Sequence, residues 1–107
     1  MSGVFAEIAA LDKLLHEPAR LSLMTALNAC QSADFLALQR LTGLTSGNLS
    51  IHLSKLEDAG LVIQGKQFVN KRPNTQIKIT EKGRQVIEQH WHQLENLRRD
   101  AQNWRPE

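Results

Sequence analysis

From Thr45 to Lys55 the chain carries a run of short hydrogen-bonding side chains, Thr-Ser-Gly-Asn-Leu-Ser-Ile-His-Leu-Ser-Lys. At the helical spacing of about 100° per residue, Leu49, Leu53 and Leu56 fall on one side. Gly47, Asn48, Ser50, Ile51, Ser54 and Lys55 fall on the other. That outer side is small and polar, with no bulk to keep it out of a groove. Asn48 and Ser50 have the donors and acceptors to meet base edges, and Ile51 suits a thymine methyl. Thr45 and Ser46, at the helix start, and Lys55 further along are placed for phosphates. His52 sits between the two sides, where it either packs or meets one phosphate. The chemistry on offer is recognition, not bond making.

A second cluster is electrostatic. The total charge of the 107 residues is only +2. Its distribution is uneven: residues 1–60 sum to −2, and residues 85–107 to −1. Residues 64–84 sum to +5, with Lys66, Lys71, Arg72, Lys78, Lys82 and Arg84 against Glu81 alone. A strip of this kind attracts a polyanion even on a nearly neutral molecule, or it keeps a hairpin edge soluble. Lys71 and Arg72, in the turn-rich run Asn70-Lys71-Arg72-Pro73-Asn74, are the candidates for a nucleic-acid backbone or minor groove.

Other reactive residue types do not assemble into a site. The single cysteine, Cys30, excludes a disulfide within the chain and a cysteine-based zinc site. Close to Leu27 and alanines, it reads as a small buried apolar residue. His90 and His92 are two apart, so a helix splays them, while Glu88, His92 and Glu95 share a face as an exposed salt-bridged stripe. Gly43, Gly47 and Gly60 form no phosphate-binding loop. No Ser-His-Asp set and no carboxylate pair in a cleft is apparent. An enzyme is not expected, nor a metal or other cofactor.

Hydrophobic residues make up 41% of the chain and charged residues 22%, enough for one folded domain spanning residues 1–107. Apolar spacing predicts a helix over Val4 to His16, broken at Glu17-Pro18. A second helix runs from about Pro18 to Cys30, and a third, short one starts at Phe35 after a cap in Ser32-Ala33-Asp34 and stops at Gly43. Thr45 or Ser46 caps the fourth, which reaches Ala59 and ends at Gly60. Leu61-Val62-Ile63, Phe68-Val69 and the alternating Thr75–Thr80 run predict a β-hairpin with a basic tip at 70–75. Thr80 then caps a last helix reaching about Trp104. The fold class is mainly α with a β-hairpin wing. Residues 35–60 make a helix-turn-helix whose second helix, about 45–59, suits the DNA major groove, and residues 61–80 make the wing.

Three segments carry a family resemblance. Residues 11–21 (LDKLLHEPARL) look like the opening of the MarR/ArsR-type winged-helix regulators. Residues 42–62 (TGLTSGNLSIHLSKLEDAGLV) resemble their recognition helix and its exit, and residues 79–84 (ITEKGR) the return of their wing into the last helix. The closest likeness is to a small winged-helix subgroup with TGLTxGNLSxHLxxLExAG and a KxPxT wing, the pattern of Lys71–Thr75. The resemblance implies a homodimeric transcriptional regulator on pseudo-palindromic double-stranded operators. Two departures stand out. Position 51 is Ile where many relatives carry a base, and the paired cysteines of metal-sensing ArsR proteins are missing, which excludes metal sensing by that route.

The joint of such a dimer is expected in residues 1–17 and 81–107. Ile87, Trp91, Leu94, Leu97 and Trp104 form a stripe at threes and fours on the last helix, and Phe5 and Ile8 face it from the first. Packing of these two groups within one chain is the plainer alternative. Two rival functions stay open: a winged helix used for protein–protein contact, and a regulator with a small-molecule effector pocket at the dimer interface, its effector unknown. No run is long and apolar enough to span a bilayer and no basic secretory lead is present, so a soluble, cytoplasmic chain is expected, with no membrane partner.

Overall fold

The computed structural model describes Ala6 and residues 11–106. Four helices and one three-stranded antiparallel sheet occupy the described part of the chain: α1 (Pro18–Cys30), β1 (Ser32–Asp34), α2 (Phe35–Thr42), α3 (Ser46–Asp58), β2 (Val62–Val69), β3 (Arg72–Ile79) and α4 (Glu81–Gln102). The sheet order is β1-β3-β2. This is the winged helix-turn-helix expected from the sequence.

Each helix starts where a side chain replaces a missing backbone partner. Glu17 is extended, accepts from the Arg20 N–H at 2.9 Å, and hands over to Pro18 in the first turn of α1. Asp34 caps α2 through the Ala37 N–H at 2.7 Å, Thr45 caps α3 through the Asn48 N–H at 3.2 Å, and Thr80 caps α4 through the Gly83 N–H at 2.9 Å. Gly43, at φ 69°, takes the left-handed position that ends α2.

Leu23, Met24 and Leu27 of α1 meet Leu49, Leu53 and Leu56 of α3 in one core, closed on the sheet side by Val62, Ile77 and Ile79. Gly83 brings α4 onto this core. A Cβ there would collide with the Leu61 carbonyl oxygen and crowd Ile79, so only glycine permits the approach. Beyond His90, no described residue of α4 is buried. The radius of gyration is 16.5 Å, against about 13 Å for a compact chain of this length.

Four expectations need correction. The helix read over Val4 to His16 lies mostly outside the described residues; Ala6 is helical as expected, but the last part, Leu11–His16, forms turns. There the Asp12 carboxylate accepts from the Leu14 N–H at 2.8 Å, a local bond that competes with helix continuation. Ser32–Asp34 is a strand as well as a cap site, pairing Ser32 with Lys78 and Asp34 with Gln76. The wing tip is narrower than 70–75: Asn70 and Lys71 alone make the turn, at φ 52° and 64°, while Arg72 and Pro73 are already strand, opposite Val69 and Phe68. Cys30 is exposed, not buried, because the last turn of α1 directs Leu27 inward and Cys30 outward.

Two buried polar side chains sit among these apolar contacts. Arg20 is only 9% exposed; its Nε donates to the Leu14 carbonyl at 2.6 Å and its guanidinium to His52 Nδ1 at 3.0 Å. An arginine has no acceptor, so His52 Nδ1 accepts this bond through its lone pair. Glu17 stands 3.7 Å from the same nitrogen. Burial works against the Glu17 charge, yet the N–H groups of Arg20 and Ala19, with the charge of the Arg20 guanidinium beside them, hold its carboxyl below the usual carboxylate range. His52 therefore packs, tying the recognition segment to the start of α1.

The second polar group is His90, 1% exposed with both ring nitrogens lacking a hydrogen-bond partner. Its ring centroid is 5.5 Å from that of His16. Burial lowers its pKa, the charge on His16 adds to this, and Asp12 opposes it.

Two tests follow from these groups. Arg20→Met strands the acceptor on His52 and should lower the unfolding free energy by about 1–3 kcal/mol in urea titrations. His52→Phe should then cost much less in the Arg20→Met background than alone. For His90, the unfolded chain binds a proton more readily than the folded one, so stability is complete above about pH 6.5 and falls as the pH drops below it. Thermal unfolding of His90→Leu should show a flatter acid limb below about pH 6.5 than the parent protein.

Candidate nucleic-acid interface

The leucine seam of α3 decides what faces outward. With Leu49, Leu53 and Leu56 wholly buried, the remaining sides of the helix carry Ser46, Gly47, Asn48, Ser50, Ile51 and Lys55, all exposed, and Thr45 is exposed at the cap. Ile51 keeps 54% of its surface open. A Cβ added at Gly47 would meet nothing within 4 Å, so nothing inside the chain requires glycine there. Its smallness clears space outside. The first turn has no acidic residue.

The acids at the far end of α3 are partly occupied. Glu57 accepts from the Gln64 backbone N–H at 3.0 Å and from its side-chain amide at 3.3 Å. This pair fixes the base of the wing to the end of the recognition helix. Lys82 donates to the Ala59 carbonyl at 2.9 Å, and the Thr80 hydroxyl to the Gly60 carbonyl at 2.7 Å. These two bonds set the exit of α3 against the start of α4. They also absorb Lys82 into the fold, leaving it a poorer polyanion contact than its place in the basic strip implies.

The wing is a two-stranded ribbon paired without interruption from Val62–Ile79 to Val69–Arg72. From residue 59 to residue 80 it holds no acidic side chain, while Lys66, Lys71, Arg72 and Lys78 are all exposed. Lys71 stands in the turn itself and Arg72 begins β3. The tip thus presents two adjacent cations on a rigid support. The second strand, β3, is held on its other side by β1 through residues 76–78.

The stripe expected to pair two copies separates into parts. Ile87 is wholly buried in the core of its own chain. Leu94 and Leu97 are half-buried, and Trp91, 37% exposed, donates from its indole to the Thr25 hydroxyl at 3.0 Å. Trp104 lies past the end of α4 and is 49% exposed. Phe5 and Ile8 lie outside the described residues. His92 meets Glu95 at 3.9 Å, both exposed, as the sequence suggested, and Glu88 instead accepts from Asn28 at 2.7 Å. Among the described residues no group of three His, Cys, Asp or Glu is placed to hold a metal. No helix among them is long and apolar enough to cross a membrane.

Three features were not legible as functional in the sequence: the buried Arg20, the Glu57–Gln64 link and Phe68. Arg20 looks like any surface arginine, and only its distant partner His52 distinguishes it. Phe68, read as an ordinary strand residue, is 77% exposed near the wing tip.

Comparison with known proteins agrees with this geometry. The family described as a winged helix DNA-binding domain matches residues 19–98. An uncharacterized protein of Methanocaldococcus jannaschii is 31% identical over 90 residues, covering 84% of this chain and 98% of that one. A solved transcriptional regulator homologue from Pyrococcus horikoshii superposes with a TM-score of 0.78 at 32% identity, covering 85% of this chain and 92% of the other. A MarR-family transcriptional regulator from Silicibacter pomeroyi shares the fold, with a TM-score of 0.63 at 21% identity, over 94% of this chain and 62% of that one. The matched segment takes in the capped recognition helix, the basic wing and most of the last helix, and these are parts of a DNA-binding regulator and not of an enzyme. The chain belongs to the winged helix DNA-binding domain family.

Proposed function

We propose that this protein is a homodimeric transcriptional regulator that reads pseudo-palindromic double-stranded DNA with α3 in the major groove. The observation that carries the reading is the outward side of α3: short, polar, free of acid in its first turn, and cleared at Gly47. Asn48 and Ser50 read base edges, Ile51 meets a thymine methyl, and Thr45, Ser46 and Lys55 hold phosphates. Lys71 and Arg72 anchor the wing on the backbone or in the adjoining minor groove.

Two copies are needed because one module covers only half of such an operator. Two-fold pairing places the recognition helices about 34 Å apart, one turn of the duplex. The distal half of α4, with Trp91, Leu94 and Leu97 and no fully buried residue past His90, supplies the apolar surface for that joint. The effector reading is favoured by one observation. A recess of about 300 Å³ lies between α4 and the turn before α1, lined by Asp12, Leu15, Val86, Gln89, His90 and Gln93, with the unpartnered His90 ring in its wall.

Selection from random-sequence duplexes followed by binding titration tests the DNA reading. Lys71→Ala and Arg72→Ala should weaken binding to all sequences and each lower the salt slope by about one. Asn48→Ala should relax discrimination at one position by about 1–3 kcal/mol. Binding that is unchanged in all three variants overturns these roles, and a stable protein partner without DNA binding favours the protein-docking alternative. Sedimentation at micromolar concentration should show a species of twice the 12.1 kDa chain mass. A monomer alone overturns the dimer.

A further inference from the structure

We propose that Phe68, backed by Pro73, is an apolar wedge that the wing drives between base steps of the minor groove, kinking the duplex and selecting a deformable step there. The proposal rests on the DNA-binding reading above and adds to it a second source of sequence preference, separate from α3.

The argument begins with the alternation of the hairpin. Val62, Gln64, Lys66 and Phe68 lie on one face of β2, opposite Ile79, Ile77, Thr75 and Pro73 of β3. At the root this face is core: Val62, Ile77 and Ile79 are buried. Toward the tip it opens, with Gln64 half-buried, Lys66 exposed and Phe68 77% exposed. Phe68 is six residues past Val62, about 20 Å along an extended strand. It is too far out to join the core whose face it shares. Its cross-strand neighbour is a proline, so the end of the ribbon carries an apolar pair with no apolar cover.

The surrounding charge selects the occupant. Lys66 stands two residues before Phe68 on the same face, Lys71 and Arg72 follow within four residues, and the ribbon contains no acid to repel a phosphate. An apolar protein patch would find no matching surface among these cations, whereas DNA offers phosphates at the rims of a groove and stacked bases within it. The two-residue turn, with both φ angles positive, keeps the tip narrow and stiff.

Groove dimensions then demand distortion. The minor groove is about 6 Å wide, while two strands alone are about 4.8 Å apart before side chains are added. A ribbon tip enters only where the groove widens, as it does when a side chain such as Phe or Pro pries a base step open and the duplex bends toward the major groove. Pyrimidine–purine steps open most readily. The preference therefore falls at a position that α3 does not touch.

The test uses the full chain on duplexes recovered from random-sequence selection, carrying 2-aminopurine at the wing position and end labels that report bending. The native protein should raise the 2-aminopurine fluorescence and shorten the end-to-end distance. It should also favour a T-A step over an A-A step there, on the order of tenfold. Phe68→Ala should bind while abolishing the fluorescence rise, the bend and the step preference, and its thermal midpoint should match the native one because Phe68 is largely solvated. Phe68→Lys should keep or raise affinity through an added phosphate contact and leave the duplex straight. A straight duplex with the native protein, or an unchanged bend with either variant, overturns the wedge while leaving the DNA-binding reading intact. Failure of the native protein to bind any duplex overturns both.

Discussion

Three leucines spaced four and three apart on α3 hold the design together. Leu49, Leu53 and Leu56 are each fully removed from solvent, and burial of each contributes about 1.5–3 kcal/mol. A rotation of α3 by one residue would expose this seam and bury Asn48 or Ser50 without partners, a double loss. The rotational setting of the helix is therefore fixed by the core, and the identity of its outward side chains follows. Arg20 reinforces that setting from the flank. Its guanidinium engages the one α3 side chain, His52, that stands at the border between the two sides.

The wing inherits its position from the same core. Val62, Ile77 and Ile79 pack into it, Glu57 grips Gln64, and Gly83 lets α4 close on the carbonyl of Leu61 just before β2. Helix, wing and last helix are thus joined within a few residues of Gly60. Movement of any one against the others would break a hydrogen bond or open a contact that glycine alone permits. Such a junction holds α3 and the wing at a set separation.

Much of this arrangement was legible in the sequence because it is local. Capping residues stand at Asp34, Thr45 and Thr80, breakers at Pro18 and Gly43, and the 3.6-residue spacing marks the buried side of α3. What escaped was decided at a distance or by a single hydrogen bond. Ser32–Asp34 is a strand only because residues 76–78 pair with it, more than forty positions away. Asp12 turns the chain with its own carboxylate, which apolar spacing does not register. Cys30 and Ile87 differ by their place on a helix turn, one facing out and the other in, and the exposure of Phe68 depends on how far the ribbon outruns the core. The outward residues of α3 were read correctly as a set because the inward set left them no alternative.

The proline opposite Phe68 has another consequence. In a ribbon closed by a two-residue turn, Val69–Arg72 is a hydrogen-bonded pair and Phe68–Pro73 is not, so the backbone nitrogen of Pro73 points away from β2. The edge it points to is bare, because β1 covers β3 only from residue 76. An ordinary amide there would complete a row of free donors and acceptors, a template on which a strand from another molecule could grow. With a ring nitrogen in that row the ladder is interrupted, and Lys71 and Arg72 beside it repel a second basic wing. A protruding ribbon is thereby kept from polymerising with its own kind through its edge.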